Sequence, residues 1–187
     1  YVEQVEGLVD GGGDVLLVET CQDILQAKCA LAAVRRVLDA RQVKVPVMAQ
    51  VTMETTGTML VGTEIAAANV VVDNYKHVDI IGMNCATGPQ EMAGHVAYLS
   101  RHSRKMISVL PNAGLPQVVD GAPYYPLGPT ELADWHERFV QEDGVNIVGG
   151  CCGTVPRHLK EVVPRIRPLK PKKRTPSFTP SITSLYG

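Results

Sequence analysis

Three cysteines stand where apolar runs give way to polar residues: Cys85 in "MNCATGP" (83–89), and the adjacent pair Cys151 and Cys152 in "VGGCCGT" (148–154). Thiolate sulfur is a soft ligand that suits zinc, and a catalytic zinc site takes three protein ligands and keeps a fourth position open. The separation of Cys85 from the pair matches no zinc-finger spacing, so this chemistry needs a fold that brings distant segments together. Neighbouring side chains of an ideal strand point to opposite faces. Gly149 and Gly150 are therefore expected to bend the chain and turn both sulfurs to one side. Two other readings stay open on the residues alone. The thiols could simply fill the core, or the pair could be redox-active, although adjacent cysteines form a strained ring and no C-x-x-C motif is present.

Other reactive or polar groups occupy equivalent places. Glu19 and Thr20 end one apolar run, Gln50 and Thr52 lie in the next, Asn84 precedes Cys85, and Asn112 follows "KMISVLP" (105–111). Cys21 and Cys29 are placed on the first long helix as small packing residues. His95, His102, His136 and His158 fall in helical patterns and His77 lies just ahead of a strand; surface positions are expected for all five, none as a metal ligand.

The elements that must position these groups are five short, mostly β-branched runs: 14–19, 45–52, 78–84, 105–111 and 145–150. They lack strict alternation, as strands buried on both faces do. Their starts lie roughly 30 to 40 residues apart, the length of a βαβ unit. Between them, helices are predicted over 22–40, 57–72, 88–102, 129–142 and 154–166. In the first of these, Ile24, Leu25, Ala27, Leu31, Val34 and Leu38 form one apolar stripe; in the fourth, Leu132, Trp135 and Phe139 do. Strands alternating with helices imply an α/β fold with a parallel sheet. No G-x-G-x-x-G follows a first strand, and "GGGD" (11–14) precedes one, as a helix-ending turn does. A doubly wound sheet is thereby disfavoured. The expectation is a (β/α)8 TIM barrel of which these residues supply the last five βα units, with chemistry at the carboxyl ends of the strands.

The barrel portion is assigned to residues 1–167 and an interdomain linker to 168–187, which is rich in Pro, Ser and Thr. Its basic cluster, Lys170, Lys172, Lys173 and Arg174, is read as solvated. The 187 residues are 45% hydrophobic and 20% charged, with a formal net charge of −1, which gives no electrostatic reason to expect nucleic acid as a partner. No apolar run approaches the roughly 20 residues of a membrane span. An odd number of cysteines without a signal-peptide pattern favours a reducing, cytoplasmic setting. The chain opens on Tyr1 inside a helical pattern, so a preceding segment is expected.

The set "ETCQD" (19–23), "MNCATGP" (83–89), "LPNAGLP" (110–116) and "VNIVGGCCGT" (145–154) resembles the homocysteine-binding barrel of the cobalamin-dependent methionine synthase family, within the homocysteine S-methyltransferases. The resemblance covers residues 1 to 167, with four motifs in the expected order. It implies that Cys85, Cys151 and Cys152 bind a catalytic Zn²⁺ and that Asn112 lies at the metal site, able to fill the open position before substrate arrives. It also implies that Glu19 holds the substrate amino group. The family's first strands, whose backbone amides help hold the substrate carboxylate, are absent from these residues, so an incomplete site is expected.

The implied activity is methyl transfer from methylcobalamin, bound by another domain and replenished from 5-methyltetrahydrofolate, to homocysteine, giving methionine. A free thiol of pKa near ~8.5 is mostly protonated at neutral pH, and zinc would ionise it. Four thiolates on Zn²⁺ leave the substrate sulfur electron-rich, which suits alkyl transfer rather than hydrolysis. "SITSLYG" at the end of the tail resembles the segment leading toward a folate-binding barrel, so the implied partners are folate- and cobalamin-binding domains of one longer polypeptide. The alternatives are a cobalamin-independent homocysteine S-methyltransferase using betaine or S-methylmethionine, and a non-catalytic zinc-binding fragment.

Overall fold

Each apolar run read from the sequence forms a strand, and the strands lie side by side in chain order. The computed structural model describes residues 1–184, so the final three residues of the tail fall outside the described residues. β1 (Leu16–Cys21), β2 (Val47–Val51), β3 (Ile80–Asn84), β4 (Met106–Leu110) and β7 (Ile147–Val148) form one five-stranded sheet with every pairing parallel. Helices alternate with them: α1 (Val2–Asp10), α2 (Ile24–Arg41), α3 (Ile65–Asp73), α4 (Pro89–His102), α5 (Pro129–Asp143) and α6 (Pro156–Ile166). The order never reverses, so the sheet has no switch point of the doubly wound kind.

The period-two alternation of strand side chains divides the sheet into two faces. Leu16, Val47, Ala49, Val51, Ile81, Met83, Ile107 and Val109 join the core built with Leu31, Val34, Val72, Val96, Leu99 and Phe139 of the helices. The opposite face carries two rows. Leu17, Met48, Ile80 and Met106 stand in register across four strands, and the row's two ends, Leu17 and Met106, are exposed. In the next row Gln50 is opposite Gly82, which is opposite Ser108. Gln50 Nε2 donates to Ser108 Oγ at 2.9 Å across the intervening strand. Glycine is needed between them, because a Cβ at residue 82 would lie 2.0 Å from that hydroxyl. Gln50 Oε1 is buried and has no partner among the described residues.

Several expectations are corrected. Helix α2 begins at Ile24, because the Asp23 carboxylate accepts from the Leu25 N–H and caps it. Cys21 therefore ends β1, where it is buried, and Cys29 is exposed on α2 and packs nothing. Leu25 points to solvent, and Ala30, Ala33 and Val37 widen the buried stripe. The third helical segment is shorter than its pattern suggests. Residues 54–63 form tight turns, Glu54 N–H to Thr58 O and Met59 N–H to Thr63 O, and α3 starts only at Ile65. A hairpin, β5 (Gln117–Val119) with β6 (Ala122–Tyr124), stands on the β4–α5 connection where no strand was expected. It turns on Asp120 and Gly121, both at positive φ.

The tail is more engaged than a solvated basic run. Lys172 Nζ donates to Glu142 O, and the Arg174 guanidinium donates to the carbonyls of Leu99, Ser103 and Lys105. Arg104 stacks on the Phe178 ring, 3.9 Å from its centroid. Arginine is suited to this role because its fork of donors satisfies several helix-terminal carbonyls at once. Among the described residues, no helix is long and apolar enough to cross a membrane.

Candidate metal centre

The three sulfurs arrive at one rim from β3 and β7, with β4 between them. After Asn84 the chain leaves β3 abruptly: Cys85 (φ +64) and Ala86 (φ +60) both adopt the left-handed conformation, which is costly for residues with a Cβ. The turn is held by the Cys85 N–H on Leu110 O and the Thr87 N–H on Cys85 O. On the other side, the Cys151 N–H donates to Pro111 O and the Ala113 N–H to Cys152 O, so the pair is laced to the loop after β4.

The device that presents both sulfurs is not the one expected. Gly149 and Gly150 have no left-handed backbone. A β-turn from Cys151 to Thr154 does the bending, closed by the Thr154 N–H on Cys151 O at 3.1 Å, with Gly153 at φ +77 in its third position. The paired cysteines thus sit on a turn and not a strand, and strand alternation does not apply to them. Gly150 has a packing role instead, since a Cβ there would meet Thr154 Oγ1 at 2.3 Å.

Cys85 Sγ and Cys152 Sγ are 3.7 Å apart, and the sulfurs of Cys85, Cys151 and Cys152 all lie within 4.8 Å of one another as free thiols. A tetrahedral ion with Zn–S bonds of about 2.3 Å needs S···S separations of about 3.8 Å. The donor set and its spacing fit zinc. Cys152 is exposed, so a fourth position can be approached from solvent. Burial pushes the Cys85 thiol up to about 12; a hydrogen bond from the Ala86 amide opposes this, and the neighbouring thiols reinforce it.

Each sulfur also has a neighbour outside the trio that can donate to it. The Ala86 amide serves Cys85, Asn84 Nδ2 lies 3.9 Å from Cys151 Sγ, and the Tyr125 phenol hydrogen-bonds the Cys152 thiol. The ring of Tyr125 is seated on Gly153, where a Cβ would come within 2.3 Å of it. Desolvation, then the adjacent Cys152, raises the phenol above its usual range.

Asn112 reaches the rim, where its Oδ1 accepts the Cys152 N–H at 3.1 Å. Glu19 is exposed near the end of β1 and outside the sulfur cluster; the neighbouring Thr20 is tied to Asn84, which stands beside the cysteines. The sequence reading placed no role on Asn84, Tyr125 or the histidines behind the rim. His136 and His158 are buried, contrary to expectation. His136 Nε2 donates to Gly149 O at 2.7 Å, and His158 takes the Val155 N–H on Nδ1 while Nε2 donates to Leu127 O. His136 ties α5 to the backbone just ahead of the cysteines, while His158 closes the start of α6 and ties it to the loop before α5. Their one visible signal was position, since both sit at helical spacing from buried apolar neighbours.

Comparison with known proteins bears on this geometry. The homocysteine S-methyltransferase family profile matches residues 1–166. Methionine synthase of Mycobacterium tuberculosis is 50% identical over 186 residues, covering 100% of this chain and 16% of that protein. Methionine synthase of Mycobacterium leprae is 47% identical over 191 residues, again covering 100% of this chain and 16% of the relative. The chain therefore spans a small part of the length of these relatives. Among solved structures, the apo form of the homocysteine methyltransferase MmuM from Escherichia coli superposes with a TM-score of 0.64 at 22% identity, over 88% of this chain and 57% of that one. Its metallated form gives 0.65, over 88% and 52%. At that identity the superposition speaks for the fold alone.

Proposed function

The chain belongs to the homocysteine S-methyltransferase family, and from that premise we propose that Cys85, Cys151 and Cys152 hold a zinc ion at which homocysteine is methylated to methionine. The observation that carries the reading is the meeting of three sulfurs, 66 and more residues apart along the chain for Cys85 against the pair, within 4.8 Å at one rim. A zinc ion held by these three cysteines would supply Lewis acidity that favours the thiolate form of a sulfur ligand at neutral pH.

The protein's own groups do the rest. The loop after β4 clamps the cysteine turn through Asn112, so the sulfurs are fixed before substrate arrives. In this reading Glu19 receives the substrate ammonium. In the same reading Asn112, whose Oδ1 accepts the Cys152 N–H, would supply an oxygen ligand to the metal when no substrate is bound. The donors from Ala86, Asn84 and Tyr125 share the negative charge that builds on the ligand sulfurs.

The methyl donor proposed is methylcobalamin, carried with the folate site on other domains of a longer polypeptide. Its support is that the mycobacterial methionine synthases match the whole chain, including the tail beyond residue 166 where the family profile stops. A donor such as betaine or S-methylmethionine would leave that shared tail without a purpose. The five strands are read as the last five of an eight-stranded barrel with residues 168–187 as a linker. The exposed Leu17 and Met106 and the unpartnered Gln50 Oε1 are what further interior strands would cover. Ligand thiols of this kind require a reducing compartment, which for this chain is the cytoplasm.

Zinc stoichiometry of the intact protein, measured before and after thiol alkylation, tests the reading, together with X-ray absorption at the zinc edge. One zinc per chain, lost on alkylation, and a gain of one sulfur ligand with homocysteine are expected. Unchanged coordination on adding homocysteine would refute the assignment.

A further inference from the structure

We propose that Asn84 is a positioning residue that couples the metal ligand Cys151 to the end of β1 from which Glu19 projects. The inference rests on the zinc–homocysteine reading above. Asn84 is buried, at 1% exposure, and its carboxamide is used at both ends. Oδ1 accepts the Thr20 N–H at 2.8 Å; Nδ2 donates to Thr20 Oγ1 at 2.8 Å and faces Cys151 Sγ at 3.9 Å. Its backbone carbonyl accepts from Thr52 Oγ1 at 3.2 Å. With every polar atom committed, the amide has one orientation, and that orientation aims an N–H at the sulfur.

What Asn84 holds on the far side is strained. Thr20 has φ +56, and the β1–β2 register shifts between Val18 and Cys21. A β-branched residue in this conformation persists only where its surroundings over-determine it, and Asn84 supplies two of the bonds that do so. The residue next to Thr20 is Glu19, so the clamp sets where that carboxylate leaves the strand. One side chain thereby fixes two ends of the same substrate: its ammonium through Thr20 and Glu19, and its sulfur through Cys151 and the metal.

The test uses the full-length zinc-loaded protein. Asn84→Asp is isosteric and keeps an acceptor for the Thr20 N–H, but turns an oxygen toward Cys151 in place of a donor. Thr20→Val cuts the clamp from the other side without touching a metal ligand. Cys29→Ser, on the exposed face of α2 and outside the site, serves as the comparison. Three quantities are read: zinc release to a chelator, homocysteine affinity by calorimetry at full zinc occupancy, and the near-ultraviolet sulfur-to-metal charge-transfer band of the cobalt(II)-substituted protein.

Asn84→Asp should speed zinc release by about tenfold or more and weaken homocysteine binding by about tenfold. Thr20→Val should weaken homocysteine binding and also shift the cobalt band, although Thr20 lies outside the metal site. Cys29→Ser should leave both zinc release and homocysteine affinity within about twofold of the wild type. Homocysteine affinity unchanged in Asn84→Asp, or a cobalt band unmoved in Thr20→Val, overturns the coupling. Should Asn84→Asp fail to fold by circular dichroism, the Thr20→Val measurements decide alone. A wild-type protein that binds neither zinc nor homocysteine overturns the parent reading and the coupling together. Normal wild-type loading with indifferent variants overturns the coupling only.

Discussion

His136 donates its Nε2 proton to the carbonyl of Gly149 at 2.7 Å, two residues ahead of Cys151, and its ring is wholly buried with Nδ1 unpartnered among the described residues. An imidazole in helix α5 thus braces the backbone that presents the metal ligands. Burial lowers its pKa to about 4, against the opposing pull of the Gly149 carbonyl.

That shift makes stability pH-dependent with a definite sign. Between about 6.5 and about 4 the unfolded chain binds a proton at His136 that the native protein refuses, so stability falls as pH falls through this window and levels below it. The loss expected is about 3 kcal/mol. Urea unfolding from pH 7 to pH 4 should show it, and His136→Gln should flatten the dependence. An equal slope in both proteins would remove His136 as its source.

Removing any one sulfur should abolish zinc retention. Cys85→Ala, Cys151→Ser and Cys152→Ser are each expected to retain less than about a tenth of the wild-type metal after dialysis against a mild chelator, with methyl transfer lost in parallel. Cys29→Ser, on the exposed face of α2, should retain it all. Metal analysis by mass spectrometry checks both, and a fully loaded Cys85 variant would sink the ligand set.

Glu19→Gln should leave zinc content unchanged and raise the homocysteine KM by about tenfold, the scale of a lost charge-assisted hydrogen bond. Steady-state kinetics alongside metal analysis separates the two effects. An unaltered KM takes Glu19 out of the substrate site.

Gly82→Ala should destabilise the fold by about 3 kcal/mol or more, because its Cβ would meet both the hydroxyl and the carbonyl oxygen of Ser108 at about 2 Å. Ser108→Ala in the same background should recover part of the loss by removing the hydroxyl while the carbonyl clash remains. Denaturant unfolding of the single and double variants measures the difference.

Much of this architecture could be read from the chain before its structure. In "VDIIGMN" the stretch from Ile80 to Met83 shows no apolar–polar alternation because strand β3 is buried on both faces, so continuous hydrophobicity marked it without periodicity. The three cysteines that meet at the rim were legible through their motifs and their places at strand ends. What could not be read depends on partners distant in sequence. Asn84 and Thr20 are 64 residues apart, and nothing local says that an amide will reach across β2. The role of Gly153 was hidden because glycines flank the cysteine pair on both sides, and which glycine bends the chain is decided by the turn that closes. His136 looked like a surface residue because helical spacing alone does not say that Gly149 will offer its carbonyl from the next strand. Arg174 belonged to a basic cluster that composition reads as wet, whereas the carbonyls ending α4 claim it.

The anchorage of that tail has a consequence for traffic at the rim. Lys172 and Arg174 fasten the chain under the sheet, at the ends where strands begin, while the sulfurs stand where strands finish. Phe178 keeps the tail on that side, against Arg104. In the proposed reading, a domain that brings a methyl group could reach the sulfurs without displacing these anchored residues.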